Sequence, residues 1–205
     1  METNGRNNMD RSKLKKLGFL GVIAVGISVL PIGGAWKAYA QARHVRWDII
    51  FFNATFTGFF PGGSLSATAV DGSQITLTGT GTFVQPASGK GTSSAVTGGG
   101  TWATNSPRAN GTYTVEGFVQ YAEAPGSFAG SGIIDNIGDV EDTHAGLGIL
   151  SIVYSDGERG ILLVSCNLNG MPSIYEGATA TKGFVNYFAP VLPGDPNATV
   201  FHFKD

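Results

Sequence analysis

The segment from Asp135 to His144 holds the densest set of potential ligand atoms in the chain. Within eight positions, five residues carry a carboxylate or amide oxygen: Asp135, Asn136, Asp139, Glu141 and Asp142. Such oxygens suit a flexible Ca²⁺ site, although their spacing does not match an EF-hand loop. Neighbouring carboxylates also raise each other's pKa, which suits a general acid with His144 as its partner. The simplest interpretation is a solvated acidic loop without a ligand, because loops are usually exposed and polar.

The three histidines offer a second possible metal site. His44, His144 and His202 could supply the nitrogen ligands of a zinc ion that keeps one position open. They are far apart in the sequence, so they converge only if the first and last strands pair, as they do in a closed barrel. We treat this zinc site as a hypothesis and predict no cofactor.

Aromatic residues crowd the start of the predicted domain. Six occur in fourteen positions: Trp47, Phe51, Phe52, Phe56, Phe59 and Phe60. Phe59 and Phe60 are adjacent and precede Pro-Gly-Gly, which predicts an apolar loop in which only one ring can face a core. Trp47, Phe59 and Phe60 are therefore the candidates for contact with a small apolar ligand at the mouth of a barrel. A plug at the barrel end and a self-association patch are the alternatives.

Catalytic motifs are absent from the sequence. It contains no G-x-S-x-G elbow, phosphate-binding loop, G-x-G-x-x-G turn or H-E-x-x-H pair. A cofactor-free isomerase or cyclase needs only a shaped pocket and one or two polar groups, for which Glu116, Glu123 and His144 are candidates. Cys166 shares a strand face with Leu162, so we predict that it is buried in the core. It is not a candidate nucleophile, because a reactive thiol needs an accessible, electropositive setting.

These candidates must be positioned by β-strands, since no stretch after residue 40 shows a helical period. A strand over residues 44–52 places Val45, Trp47, Ile49 and Phe51 on one face, opposite Arg46 and Asp48. Asp71-Gly72 and Asp156-Gly157 are typical of tight hairpin turns. Further strands are predicted at 64–70, 74–79, 81–85, 94–104, 111–122, 127–134, 147–154, 160–167, 178–187 and 199–203, with a proline-containing loop at 189–197. The pattern predicts a single all-β domain over residues 41–205, an antiparallel barrel of about 8–10 strands, with a jelly-roll sandwich as the alternative.

The first forty residues have the three parts of a secretory signal peptide. A basic region ending at Lys16 precedes a stretch without charge from Leu17 to Trp36, and Ala38-Tyr39-Ala40 forms an A-x-A cleavage site. Cleavage is expected before Gln41; retention as an N-terminal membrane anchor is the alternative. The protein is therefore predicted to be secreted or located in the cell envelope.

The charge of the predicted domain argues against nucleic acid as a partner. The whole chain has 13 basic and 15 acidic residues, of which the first forty residues contain six and two. The remaining 7 basic and 13 acidic residues give a net charge of −6. Because phosphate backbones are bound by clustered positive charge, such a domain lacks the electrostatic basis for that interaction.

Two resemblances add to this interpretation. The stretches 154–160 (YSDGERG) and 173–185 (SIYEGATATKGFV) resemble a family of small exported bacterial proteins without assigned activity. The Gly-Thr-Phe and Gly-Thr-Tyr strand starts are similar to those of allene-oxide-cyclase-like and other calycin-like barrels. The second resemblance implies a barrel with an internal cavity, and neither implies a function.

Three functional hypotheses follow from the sequence. The first is an exported barrel that binds a small apolar molecule or has a structural role in the envelope. The second is a cofactor-free isomerase or cyclase that acts on a lipophilic substrate. The third is a surface interaction module. The interior of the barrel distinguishes them, since an open cavity favours binding or catalysis and a filled core favours a structural role.

Overall fold

Alternating side chains and glycine-containing turns give the chain a fold made of strands. The computed structural model describes residues 42–86, 91–168, 170–191 and 196–204, so the predicted signal peptide lies outside the described residues. Within them the strands are β1 (Arg43–Phe52), β2 (Gly58–Pro61), β3 (Leu65–Thr68), β4 (Gln74–Leu77), β5 (Thr80–Gln85), β6 (Val96–Asn105), β7 (Arg108–Ala124), β8 (Ile134–Asp135), β9 (Thr143–Tyr154), β10 (Arg159–Cys166), β11 (Gly177–Lys182), β12 (Val185–Tyr187), β13 (Ala189–Val191) and β14 (Asn197–Lys204). A short 3-10 helix, Val140–Asp142, precedes β9.

Six antiparallel strands close into a barrel. Around the barrel the order is β1, β5, β6, β7, β9 and β14, and β14 returns to pair with β1 along its length. The prediction of an all-β antiparallel barrel is confirmed, as is the pairing of the first and last strands, but the closed barrel has six strands rather than about 8–10 because the other strands extend from it. Closure removes the free sheet edges that an open sheet would expose.

The other strands branch from this barrel. β9 pairs with β14 at its first two residues and with β10 from Gly146 onward, and β10 continues to β11 and β12. β6 pairs with β5 near its start and with β4 near its end, and β4 continues to β3 and β13. Both predicted hairpins are confirmed, and their turn glycines, Gly72 and Gly157, have φ values of +82° and +92° that favour glycine.

Aromatic side chains fill the barrel. Trp47, Phe83, Phe118, Tyr121 and Phe201 are at most 4 % exposed and come from four of its strands. The Phe83 and Phe118 rings stack with their centroids 4.7 Å apart, and Tyr121 meets Phe201 edge to face at 5.0 Å. Burying each of these rings stabilises the fold by roughly 1.5–3 kcal/mol. The described side chains therefore form a packed core inside the barrel, where the calycin-like resemblance implies a cavity.

A second, smaller cluster covers the outside of β1 and β14. Ile50, Phe59 and Val200 are buried there. The partly buried residues packed against them come mostly from the connection between β7 and β9: Phe52, Phe128, Ile133, Ile137 and Ala198. Because this connection supplies the outer layer, the central residues of β1 and β14 are buried on both faces.

Several local predictions differ from the structure, and one of them is the single strand predicted at 178–187, which is divided into the paired strands β11 and β12. Phe59 and Phe60 lie in strand β2, paired with β1 and β8, rather than in a loop. Of the strand predicted at 127–134, only residue 134 is in a strand, because its glycines and serines form turns instead. The loop predicted at 189–197 begins as strand β13, where Pro190 is tolerated because β13 pairs on one side only among the described strands.

Candidate functional site

One end of the barrel, the barrel mouth, brings charged and aromatic side chains together. Arg43 from the start of β1, Glu123 from the end of β7, His144 from the start of β9 and Phe203 from the end of β14 define it. Arg43 Nη1 lies 2.7 Å from Glu123 Oε2, and His144 Nδ1 lies 3.3 Å from Glu123 Oε1. Strand order and register place these four residues at one level because each strand begins or ends there.

Phe203 supports the charged side chains of the mouth. The His144 ring stacks on it at a centroid distance of 3.6 Å and an angle of 18°, and the Arg43 guanidinium carbon lies 4.3 Å from its centroid. A guanidinium over an aromatic face is attracted by the ring quadrupole. Glu123 therefore binds two groups whose positions the same ring fixes.

Burial sets the protonation of the mouth. Partial burial lowers the pKa of His144, and this effect outweighs the attraction of Glu123 for the imidazolium. Tyr121 lies next to Phe203, with their ring centroids 5.9 Å apart. Burial raises the pKa of Tyr121, whose hydroxyl donates to the Ala145 carbonyl at 3.1 Å. At neutral pH, His144 is therefore a neutral base held by a carboxylate.

A cleft of about 250 Å³ opens beside Glu123. Its walls are mainly apolar and come from β7, β9, β10 and the loop before β11: Ala122, Glu123, Ala124, Gly146, Leu147, Ser165, Ser173, Ile174 and Tyr175. Ala122 faces Leu147 in the β7–β9 register, and Leu147 faces Ser165 in the β9–β10 register. The cleft therefore lies on the outer face of these strands, next to the barrel mouth.

The loop that walls the cleft is fixed by Glu176. One carboxylate oxygen accepts hydrogen bonds from the Thr199 backbone N–H at 2.6 Å and from its hydroxyl at 2.8 Å. The other accepts from the Asn167 N–H at 2.6 Å, and the Ser165 hydroxyl donates to the Tyr175 carbonyl at 2.7 Å. Burial raises the pKa of Glu176 although these hydrogen bonds oppose it.

The candidate catalytic residues fall in two places. Glu123 and His144, proposed separately from the sequence, meet at the barrel mouth. Glu116 lies elsewhere on β7, where its carboxylate pairs with the exposed Arg159 at 2.5 Å. The mouth residues that sequence analysis missed are Arg43 and Phe203. Strand period could have found them. Arg43 precedes the inward-facing Val45 by two residues, and Phe203 follows the inward-facing Phe201 by two residues, so both lie on the inward faces of the paired strands β1 and β14.

The three aromatic ligand candidates are mostly enclosed. Trp47 is 0 % exposed in the barrel core, and Phe59 is 0 % exposed in the outer cluster. Phe60 is half-buried and stacks on Phe51 at 5.5 Å. Of the three, only Phe60 can meet a ligand without repacking the protein, and it is not among the residues that line the cleft beside Glu123.

The calcium candidates each have a separate structural role or point outward. Asp135 is buried and binds His202 Nε2 at 2.7 Å, while Asp139 accepts the Glu141 N–H at 3.1 Å and caps the 3-10 helix. Glu141 accepts the Gly130 N–H at 3.1 Å, and Asp142 is exposed. Within the described ranges, no three side chains among histidine, cysteine, aspartate and glutamate are grouped so as to hold a metal ion.

The zinc hypothesis also fails on geometry. His202 is buried against Asp135 on the outside of the barrel, His144 lies at the mouth beside Glu123, and His44 is exposed. His44 and His202 lie diagonally on one face of the β1–β14 pair, where they face Lys204 and Arg46, whereas His144 faces the inward Phe201, so the three histidines do not converge on one point.

Comparisons of the chain with models of protein families, with characterised proteins and with solved structures gave no match. In the described part of the chain, no helix is long and apolar enough to cross a membrane. The barrel mouth and its cleft are therefore interpreted from their own chemistry.

Proposed function

We propose that the domain over residues 41–205 is an exported binding protein that takes a small, mainly apolar molecule in the cleft at the barrel mouth. The observation that carries the proposal is the cleft itself, with apolar walls at Leu147 and Ile174 and the Glu123 carboxylate at its rim. Ligand sites commonly combine apolar walls with a few placed polar groups. Export is supported by the signal-peptide pattern of the first forty residues.

The packed barrel core restricts where a ligand can bind. Aromatic side chains occupy the interior positions of β1, β5, β7 and β14, so an apolar molecule is accommodated beside the barrel rather than within it. The cleft of about 250 Å³ is slightly smaller than pockets for drug-sized ligands, which span about 300–1,000 Å³. A ligand of one or two rings with one polar group fits this size and lining.

Dye binding to a variant with a blocked cleft tests the proposal. Ala122 is exposed and lines the cleft, so Ala122→Phe fills the site while leaving the core unchanged. We expect the wild-type protein to bind N-phenyl-1-naphthylamine and the variant to lose most of this binding. Thr114→Phe, at an exposed position elsewhere on β7, is the matched control and should bind like wild type. If the protein does not bind the dye, or Ala122→Phe binds it equally well, a structural envelope role is favoured instead.

The contact between Glu123 and His144 favours a second candidate, a cofactor-free isomerase or cyclase. Because burial lowers the pKa of His144, the neutral ring can accept a proton from a substrate carbon while Glu123 stabilises the resulting imidazolium. We expect deuterium exchange from D2O into an enolisable cyclic ketone such as 1-indanone, lost in His144→Gln and retained in His44→Gln. Exchange at the buffer rate, or equal exchange in both variants, excludes His144 as the base.

A further inference from the structure

The end of the domain opposite the barrel mouth exposes a patch of apolar side chains, here called the apolar end patch. It consists of Phe184, Val70 and Phe188, which are 98 %, 90 % and 54 % exposed. β9 runs from His144 at the mouth to Tyr154, roughly 33 Å away at about 3.3 Å per residue. Beyond Tyr154, the β9–β10 turn contacts the β11–β12 turn, where Gly183 N–H donates to the Arg159 carbonyl at 3.0 Å.

The apolar end patch is indented on both sides of Phe184. One recess of about 450 Å³ lies between Val70 and the segment from Phe184 to Phe188. A second, of about 230 Å³, lies between Phe184 and Trp102. Two neighbouring recesses divided by an aromatic ring can each receive an apolar side chain, and a contiguous exposed patch of this kind marks an interaction site.

The backbone beside the patch is also available for binding. β12, which lies between Phe184 and Phe188, pairs with β11 on one side and with no second strand in the described part of the chain. A free strand edge presents N–H and C=O groups that an extended peptide can pair with, while its alternate side chains enter neighbouring pockets. This edge favours an extended segment over a folded surface or a lipid.

Carboxylates line the patch. Asp71 lies in the first recess and Glu158 in the second. Lys182 is the lysine of the second recess, but its ammonium contacts Asp156 and Glu158 and lies 4.4 Å from the Trp102 ring centroid, so its charge is compensated within the protein. Lys182 balances only one of the two carboxylates it contacts, so Asp156, Glu158 and Asp71 together outnumber it, and this net negative charge favours a partner with basic residues.

We propose that the apolar end patch binds an extended segment of a partner protein in which apolar side chains alternate with lysine or arginine. The segment pairs with the free edge of β12, places apolar side chains in the two recesses and brings its cations to Asp71 and to the pair of carboxylates, Asp156 and Glu158, of which Lys182 balances only one charge. A second copy of this chain would bring the same carboxylates against each other, which disfavours self-association. This site is separate from the cleft at the barrel mouth and does not depend on its function.

Fluorescence anisotropy with two short labelled peptides tests the proposal. One alternates valine with lysine, and the other alternates valine with glutamate. We expect the lysine peptide to bind, with an affinity that falls between about 50 mM and about 500 mM salt, and the glutamate peptide not to bind. Phe184→Ser should weaken binding by at least about tenfold, as loss of an aromatic anchor does. Phe56→Ser, at another exposed phenylalanine, is the matched control and should bind like wild type.

A second variant and a sedimentation measurement distinguish the other outcomes. Asp71→Asn should weaken binding of the lysine peptide and reduce the dependence of its affinity on salt. The proposal is overturned if neither peptide binds, if both bind equally, or if Phe184→Ser binds like wild type. Dimerisation that disappears in Phe184→Ser would assign the patch to self-association instead. Binding to uncharged phosphatidylcholine vesicles that depends on Phe184 would assign it to a membrane surface.

Discussion

Glu176 shows how one buried carboxylate fixes a loop in this protein. It accepts three hydrogen bonds, two from Thr199 and one from the Asn167 N–H. Thr199 is fully buried, and its hydroxyl also lies 2.7 Å from the Ser165 carbonyl. Because the buried Thr199 N–H cannot reach water, the Glu176 carboxylate is its hydrogen-bond acceptor. The same residue therefore joins β10, β14 and the loop that walls the cleft.

We expect Glu176→Ala to lower the free energy of unfolding by about 2–3 kcal/mol, because it leaves the Thr199 and Asn167 N–H groups without an acceptor. Urea denaturation measures this.

The native state holds the Glu176 proton more tightly than the unfolded chain, since burial raises its pKa above 4.5. The contribution of Glu176 to the free energy of unfolding therefore decreases as pH rises through its native pKa. Glu176→Gln should remove this part of the dependence of the free energy of unfolding on pH. Glu116→Gln, at an exposed carboxylate, is the control; an equal loss in both variants would contradict this role.

Cys166 agrees with its prediction from the sequence. It is fully buried, and its Sγ lies 3.1 Å from the Thr199 carbonyl. Burial raises the pKa of the thiol, so the reactive thiolate is disfavoured. We expect 5,5′-dithiobis(2-nitrobenzoic acid) to label Cys166 only after unfolding in urea; rapid labelling of the native protein would show that β10 opens at this position.

At the scale of elements, the connection between β7 and β9 is held by few strand pairings. β8 forms a two-residue parallel contact with β2. The connection is otherwise held by the outer cluster and by side-chain hydrogen bonds that include Asp135 to His202 at 2.7 Å, Arg46 to the Ile137 carbonyl at 3.2 Å and Asn136 Nδ2 to the Phe59 carbonyl at 3.0 Å. Asp135 also accepts the N–H groups of Ile137 and Gly138. Asp135 thus links this connection to β14 through His202 and also orders its backbone.

We expect Asp135→Ala to open this connection without unfolding the barrel, at a cost of about 2–4 kcal/mol, because two N–H groups and His202 lose their partner. Hydrogen exchange should show lost protection over residues 133–138 and retained protection in β7 and β9. Asp139→Ala, which removes only a cap of the 3-10 helix, should affect exchange much less. A uniform loss of protection across all strands would show that the connection and the barrel unfold together.

At the scale of the whole molecule, the terminal strands close the barrel. β1 begins at Arg43, two residues after the predicted cleavage site, and pairs with β14 from His44 to Phe51. Cleavage before Gln41 would therefore leave every barrel strand complete. The predicted processing and the observed fold are compatible at this boundary.

We expect the protein secreted by its own host to lack residues 1–40, because the A-x-A site at Ala38–Ala40 precedes Gln41. Intact-mass spectrometry of the secreted fraction measures this. Ala40→Leu, which removes the small residue at the cleavage site, should leave the leader attached and serves as the comparison. Recovery of the full-length wild-type chain in the membrane fraction would instead support a retained N-terminal anchor.

The sequence predicted the features that depend on local patterns. The inward Val45, Trp47 and Ile49 of β1, the Asp-Gly turns at Gly72 and Gly157, and the burial of Cys166 follow from strand period and backbone sterics, and each is found in the structure, although Phe51 of the same predicted face is exposed. The convergence of Glu123 and His144 required the structure. These residues are 21 positions apart, and neither lies in a motif. They meet because β7 and β9 pair in a register that places Glu123 beside Gly146.

Tertiary structure decides which side chains are buried wherever the two-residue alternation of a strand is interrupted or both faces of the strand are covered. β7 has two register shifts, between Val115 and Gly117 and between Phe118 and Gln120, so Phe118 is buried and Val119 is exposed, the reverse of simple alternation. Phe59 is likewise buried against a connection more than sixty residues later in the chain. Local sequence fixes backbone preference and the spacing of side chains. Burial depends on which distant segment covers a strand, and that is set only when all long-range pairings form together.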